Sequence, residues 1–392
     1  MEKKKILFNM YTLEIGGAEK SLLSILNTID YSKYEVDLFL YEHSGDLINE
    51  LPKQVNLLPE NDIYKTLCES TKLTLKKGYF KLGTIRTVSK YIAQFKKIPL
   101  AYDQYMNSMA NKVLPNIDGN YDVAISNIWP HNLVTDKVNA KKKIGWIHTD
   151  YSNMKIDYNK DFKVLDKLDY IVSVSDNCKE VFDNIQPKLK EKSIIIENIV
   201  SSSFIKGLSE KEIIEKELFK DNKLKILTVA RLHPEKGVDR VVEVCKKLND
   251  DGMDFKWFVV GFGIQEQELL DRAKELKLDD KFYILGKKIN PYPYFKKCDI
   301  YVQPSRHEGK AVAITEAKIF NKPIVITDYN SARDQINNNE TGLIVNNSID
   351  GIYKGIKELI EDSELKNKII KNLKKHKWSN EEEIEKLYKI MG

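Results

Sequence analysis

The stretch from His307 to Glu316, His-Glu-Gly-Lys-Ala-Val-Ala-Ile-Thr-Glu, places two carboxylates either side of seven residues. It follows a run with strand character, Asp299 to Gln303, and Val312 to Phe320 reads as a helix. Glu308 therefore falls in the loop and Glu316 on the helix. The helix start between them presents backbone N–H groups without intrahelical acceptors, and its dipole favours an anion. One carboxylate can take sugar hydroxyls, the amides of Ala311 and Val312 a phosphate, and the other carboxylate a ribose diol. Lys310 adds positive charge to the same loop. The same spacing also occurs at the start of an ordinary surface helix, so its meaning rests on what accompanies it.

A second string, Leu224 to Val238, runs from an apolar strand into a loop bearing Arg231 and Lys236, with a helix opening at Gly237 or Val238. A guanidinium fork and an ammonium point charge at a strand–helix turn suit a diphosphate. Alone, each is also an ordinary solvated basic side chain. Val259-Val260-Gly261-Phe262-Gly263 ends the next strand, and Leu285-Gly286-Lys287 ends another. Near the N-terminus, Glu14-Ile15-Gly16-Gly17-Ala18-Glu19 lies between a strand and a helix, where paired glycines let the backbone approach a ligand. This is not the G-x-G-x-x-G dinucleotide pattern, which argues against a nicotinamide cofactor. The strand Lys143 to Ile147 leads directly to His148, at a carboxyl tip, with Asp150 two residues on. Asn198 follows the strand Ser193 to Ile196 and marks a hinge or a ligand-adjacent position. His43, His131 and His233 read as surface or packing residues.

The elements that position these residues alternate. Strands are expected at Ile6–Met10, Tyr34–Leu40, Val55–Leu58, Tyr121–Ser126, Lys143–Ile147, Tyr170–Val174 and Ser193–Ile196. A first helix carries Leu22, Leu23, Ile25 and Leu26 on its apolar face. The pattern breaks at a polar stretch from Ser201 to Asn222, read as a linker. It resumes with strands at Leu224–Val229, Phe255–Val260, Lys281–Leu285, Asp299–Gln303, Pro323–Thr327 and Gly342–Val345. Alternating strands and helices imply parallel sheets with right-handed crossovers, whose ligands bind beyond the carboxyl ends of the strands.

These strings together resemble the motifs of family-4 glycosyltransferases of GT-B fold, of the bacterial surface-polysaccharide type. The E-x7-E element matches Glu308 and Glu316, the R-x4-KG element Arg231 and Lys236, the G-G-A-E loop Gly16 and Gly17, and the G-x-G turn Gly261. The resemblance implies an α/β protein with two Rossmann-like domains facing a central cleft. Residues 1–200 form the acceptor side, 201–375 bind a nucleotide-sugar donor, and a last helix, about 376–392, packs back on the first domain. It implies a retaining hexosyltransferase, independent of metal and of any cofactor, that passes a sugar from a nucleoside-diphosphate donor to a glycan or polyprenyl-linked glycan. Arg231, Lys236, Glu308 and His148 would do the chemistry. Gly16, Gly17, Gly261, Gly286, Lys310, Ala311, Val312 and Glu316 would line the donor. Thr149 separates His148 from Asp150, so Asp150 does not carry over. A sugar-nucleotide epimerase or hydrolase, or a non-catalytic partner subunit, shares the architecture.

Composition sets the frame. The chain has 392 residues and a formal net charge of +5, with 31% charged residues nearly balanced in sign. That suits a two-domain cytoplasmic enzyme, not a nucleic-acid binder. The four scattered cysteines have no metal-ligand spacing. From Lys72 to Lys97, basic residues (Lys72, Lys76, Lys77, Lys81, Arg86, Lys90, Lys96, Lys97) interleave with apolar ones and no acidic residue intervenes. This segment is either an amphipathic helix docking on an anionic membrane surface or a packing helix with a solvated basic face.

Overall fold

The structure, a computed structural model, describes residues 3–14, 16–96, 98, 101–211, 215–308 and 311–392. The chain folds as two compact units, Met1–Val200 with Glu381–Gly392, and Ser201–Asn380. Each is built on one sheet in which neighbouring strands run parallel.

The first sheet contains β1 (Lys4–Met10), β2 (Tyr34–Leu40), β3 (Asn56–Leu57), β4 (Ile117–Ser126), β5 (Val138–Ile147), β6 (Tyr170–Ser173) and β7 (Ser193–Ile195), in the order β3-β2-β1-β4-β5-β6-β7. The second contains β8 (Leu224–Val229), β9 (Phe255–Val260), β10 (Phe282–Ile284), β11 (Ile300–Gln303), β12 (Ile324–Thr327) and β13 (Leu343–Val345), in the order β10-β9-β8-β11-β12-β13. Helices pack on the sheets, and the central strands are buried over most of their length. All six residues of β9 are buried, including Lys256, whose stem lies in the core while its ammonium reaches Asp221 at 2.6 Å. Strands β4 and β5 begin earlier than the apolar pattern indicates. Their first residues, Ile117 and Val138, pair within the core, and the residues that follow pair at the surface, with Asn139 donating to Asn120 at 2.6 Å and Lys141 to Asp122 at 2.7 Å.

In the second sheet the strand order reverses between β8 and β11, and in the first between β1 and β4. At such a switch point, adjacent strand ends feed loops that diverge in opposite directions and leave a crevice. The strings containing Lys236 and Glu308 leave the two strands at the second sheet's switch point.

Two expectations are corrected. The polar stretch read as a linker begins where the two units divide, at Ser201, but it is folded as part of the second unit. Ser201 caps a helix, Ser202–Ser209, whose Ile205 and Leu208 are buried, and Glu215 beyond it is held by Lys288 at 2.5 Å. Apolar residues hidden among the lysines and glutamates dock this stretch on the second unit. The basic segment is likewise two helices, Thr71–Lys76 and Phe80–Lys96, with the chain turning at Gly78, φ +86°. Arg86 does not face solvent. It is buried and donates to the carbonyls of Thr66, Leu67 and Glu69 where that chain segment ends, the Thr66 carbonyl also accepting the Glu69 N–H at 3.3 Å.

The last helix, Glu383–Met391, belongs to the first unit and buries Ile384, Leu387, Ile390 and Met391 there. The Tyr388 hydroxyl accepts the Asp30 N–H at 2.7 Å, and its ring stacks on Tyr34.

Candidate functional site

Strand β8 ends at Val229, and its continuation turns through Arg231 to a helix of 13 residues, Val238–Asp250. The turn needs Gly237. Its φ is +67°, and a Cβ there would sit 2.1 Å from the Pro304 carbonyl oxygen in the loop after β11. That close approach brings the two loops together. Arg306 fixes them, donating to both carboxylate oxygens of Asp239, at 2.7 and 2.5 Å, and to the Pro234 carbonyl at 2.6 Å.

Lys236 and Glu308 meet where the loops touch, with Nζ 2.9 Å from Oε2. Both are largely buried, at 16% and 9% side-chain exposure, so the pair is weakly screened by solvent. The other carboxylate oxygen, Oε1, accepts from Ser305 Oγ at 2.8 Å and Gln303 Nε2 at 3.2 Å. The Glu308 carbonyl accepts from Ser331 Oγ at 2.9 Å. Lys236 and Glu308 line a pocket of about 240 Å³ with Val229, Ala230, Gln303, Ala311, Val312 and Ala313. An ammonium, a carboxylate and the start of the helix Val312–Ile319 thus share one crevice at the carboxyl ends of β8 and β11.

The remaining expected residues fall at varying distance from that crevice. The Ala311 N–H lies at its edge and donates to Gln335 Oε1 at 2.9 Å, so a phosphate would have to compete for it. Glu316 is buried deeper on the helix, where the Tyr292 hydroxyl hydrogen-bonds to it. Burial, then the charge of Glu316, pushes the Tyr292 hydroxyl well above its ordinary pKa. Arg231 is exposed and pairs with Glu235 at 3.1 Å. Gly261 stands at the tip of β9, its N–H donating to the Gly286 carbonyl at 3.0 Å; a Cβ there would meet the Ala230 carbonyl. Lys310 and Gly309 lie outside the described residues.

In the first unit, Gly16 is the N-cap of the helix Gly17–Thr28, and the space a Gly17 Cβ would enter is open. Asn127, at the end of β4, donates to the Ala18 carbonyl at 3.3 Å in that helix. His148 follows the tip of β5. Burial lowers its pKa to about 4, against the raising influence of the Asn127 backbone and the Asn198 side chain, so the ring is neutral near pH 7. Asn198 also accepts from Ser21 Oγ at 2.9 Å, tying β7's exit to the first helix.

Sequence reasoning missed two groups. His131, read as surface or packing, is fully buried beside His148, and burial lowers its pKa to about 3. His131 Nδ1 hydrogen-bonds with the Ser126 hydroxyl at 2.8 Å, and Ser126 Oγ lies 3.2 Å from Ile128 O. Nε2 is buried without a hydrogen-bond partner among the described residues. The second group is Tyr301, Gln303 and Ser305 beneath Glu308. Its signal was available: polar residues at every second position of an otherwise apolar strand share one buried face.

Comparison with known proteins shows what the chain resembles. Residues 209–376 match the family model described as glycosyl transferases group 1. Among curated relatives, the N-acetylgalactosamine-N,N'-diacetylbacillosaminyl-diphospho-undecaprenol 4-alpha-N-acetylgalactosaminyltransferase of Campylobacter jejuni is 32% identical over 143 residues, 36% of this chain and 38% of that one. The capsular polysaccharide biosynthesis glycosyltransferase CapM of Staphylococcus aureus is 27% identical over 235 residues, 56% of this chain and 60% of CapM. The match thus spans less than two thirds of each of these relatives. Among solved structures, Anabaena HepE in complex with UDP and glucose superposes with a TM-score of 0.59 at 16% identity, over 94% of this chain and 93% of HepE. A TarM variant of S. aureus in complex with fondaparinux, alpha-GlcNAc-glycerol and UDP gives 0.63 at 14% identity, over 99% and 100%. The resemblance to bacterial glycosyltransferases read from the motifs therefore holds. The fold is that of these GT-B neighbours, with two Rossmann-like domains.

Proposed function

We propose that the chain is a retaining glycosyltransferase of bacterial surface-polysaccharide synthesis, with a nucleoside-diphosphate-sugar donor and a glycan or lipid-linked glycan acceptor. The observation that carries this reading is the Lys236–Glu308 pair at the switch point of the second sheet, beside a helix start. Lys236, with Arg231 swinging from Glu235, would neutralise the donor diphosphate. Glu308 would take hydroxyls of the transferred sugar and Glu316 the ribose; the family resemblance would give neutral His148 a sugar contact as well. UDP is the nucleotide held by HepE and TarM, which favours a UDP-sugar.

The acceptor hydroxyl would attack the anomeric carbon on the face the diphosphate leaves. The bond to the phosphate oxygen breaks as the new glycosidic bond forms, and the departing oxygen takes the acceptor proton. Basic side chains stabilise the charge growing on the leaving group, so the scheme requires neither a metal nor a protein nucleophile. A cytoplasmic enzyme docked peripherally on a membrane would suit a lipid-linked acceptor. No helix among the described residues is long and apolar enough to cross a membrane.

The test is UDP release from UDP-N-acetylgalactosamine and UDP-glucose with and without a lipid-linked glycan acceptor. Acceptor-stimulated release with retained anomeric configuration is expected. Release that ignores every acceptor would point to a hydrolase, and no release to a non-catalytic subunit.

A further inference from the structure

We propose that Gln303 is the positioning residue for Glu308, acting within a buried ladder Tyr301–Gln303–Ser305 that aims the carboxylate into the pocket. The inference rests on the transferase reading and names what that reading leaves open: how a carboxylate that shares its cation with the substrate keeps its place.

Residues 301, 303 and 305 alternate along β11 and its continuation, so their side chains project from one face. All three are buried, Tyr301 and Ser305 completely. The polarity of their hydrogen bonds is determined. The Tyr301 hydroxyl donates to Gln303 Oε1, which turns the Gln303 amide nitrogen the other way. That nitrogen donates to Ser305 Oγ at 2.9 Å and Glu308 Oε1 at 3.2 Å, and the Ser305 hydroxyl donates to the same carboxylate oxygen at 2.8 Å. Thr327, on the neighbouring β12, holds the Ser305 carbonyl at 2.5 Å. Every donor in the chain therefore points towards Glu308. A buried leucine or methionine at 303 would pack as well against the sheet but would leave the carboxylate oxygen with Ser305 alone.

The two carboxylate oxygens have different keepers. Oε1 belongs to the ladder, which is part of the rigid sheet. Oε2 belongs to Lys236, the cation that faces the donor diphosphate. When a diphosphate draws the Lys236 ammonium away, only the ladder still holds Glu308. Gln303 is thus needed in the donor complex, although it lies beneath the carboxylate, and its loss should appear in turnover and not in nucleotide affinity.

The experiment is a double-mutant cycle on UDP release from UDP-N-acetylgalactosamine or UDP-glucose, using Gln303→Leu, Glu308→Gln and the double variant, with the affinity for UDP measured beside it. Gln303→Leu should lower kcat by roughly 10- to 100-fold, the range for a buried hydrogen bond to a charged group, with the affinity for UDP unchanged. In the Glu308→Gln background, Gln303→Leu should cost little more, because the carboxylate charge that it positions is already gone. Tyr301→Phe, which keeps the ring, should lower kcat in the same direction and by less, and serves if Gln303→Leu does not fold. Losses that multiply, or a fall in UDP affinity equal to the fall in rate, would overturn the inference while leaving the transferase reading intact. Wild-type protein that binds no UDP and releases none would overturn both.

Discussion

At the residue scale the site consists of charges held by different partners, and this separates their expected effects. Glu308→Gln removes the Lys236 ion pair but leaves the amide within reach of Ser305 and Gln303. Turnover should fall by about 2.7–4 kcal/mol of transition-state stabilisation, while UDP binds as well as before or better, because Lys236 is no longer shared. Glu316→Gln should instead weaken UDP itself, since a charge-assisted hydrogen bond to the ribose becomes a neutral one. Calorimetric UDP affinity beside steady-state rates checks both. Equal effects of the two substitutions on affinity would refute the division. His131 carries a different expectation. Its pKa of about 3 lies below that of an exposed histidine near 6.5, so the unfolded chain binds the extra proton first. Stability should therefore be lost as pH falls from about 6.5 towards 3, and His131→Gln should flatten that slope. Buried Asp161, whose pKa burial raises, acts in the opposite sense, so the comparison must be wild type against variant and not one curve alone. An identical slope in chemical denaturation at pH 7, 5.5 and 4.5 would show that His131 is not the group concerned.

Elements explain what the sequence reveals and what it hides. Every strand carrying a site residue was legible, because buried parallel strands are continuous apolar runs and their loops begin with glycine or charge. The pairing of Lys236 with Glu308 was not legible as a contact, since their strands meet only through the sheet order, across 72 positions of chain. The ladder under Glu308 was legible in principle and missed, because Gln303 and Ser305 were read as the end of a strand and not as one face of it. The basic segment shows the reverse error: charge patterning suggested one helix and counted Arg86 among its surface charges. In the helix Phe80–Lys96, exposed Phe80, Val88, Tyr91 and Phe95 form a stripe at helical spacing, flanked by exposed Lys81 and Lys90. Phe95 is 90% exposed, which is costly in water and suited to a lipid interface. Replacing Lys81 and Lys90 by glutamine and Tyr91 and Phe95 by serine should reduce co-sedimentation with phosphatidylserine vesicles. Each lysine is worth about 1 kcal/mol at such a surface, and high salt should mimic its loss. Arg86→Ala should lower thermal stability instead, through the loss of buried hydrogen bonds to the Thr66, Leu67 and Glu69 carbonyls. Vesicle binding by the parent that is absent or indifferent to salt would remove the membrane role.

At the scale of the whole molecule, two units with separate cores are tied by a chain that leaves the first, builds the second and returns with its last helix. Four buried side chains of that helix stabilise the first unit, each worth roughly 1.5–3 kcal/mol. Truncation after Asn380 should therefore lower the unfolding temperature of the first unit and leave that of the second in place, readable as two calorimetric transitions that move apart. A single transition shifted as a whole would contradict this. The central claim concerns the second unit, where a nucleoside diphosphate should sit against Lys236. Calorimetric titration of UDP into the wild type and Lys236→Ala tests it most directly. The account predicts saturable binding by the wild type and at least about tenfold weaker binding by the variant, a difference of about 1.4 kcal/mol. Equal affinities, or no binding by the wild type, would contradict it.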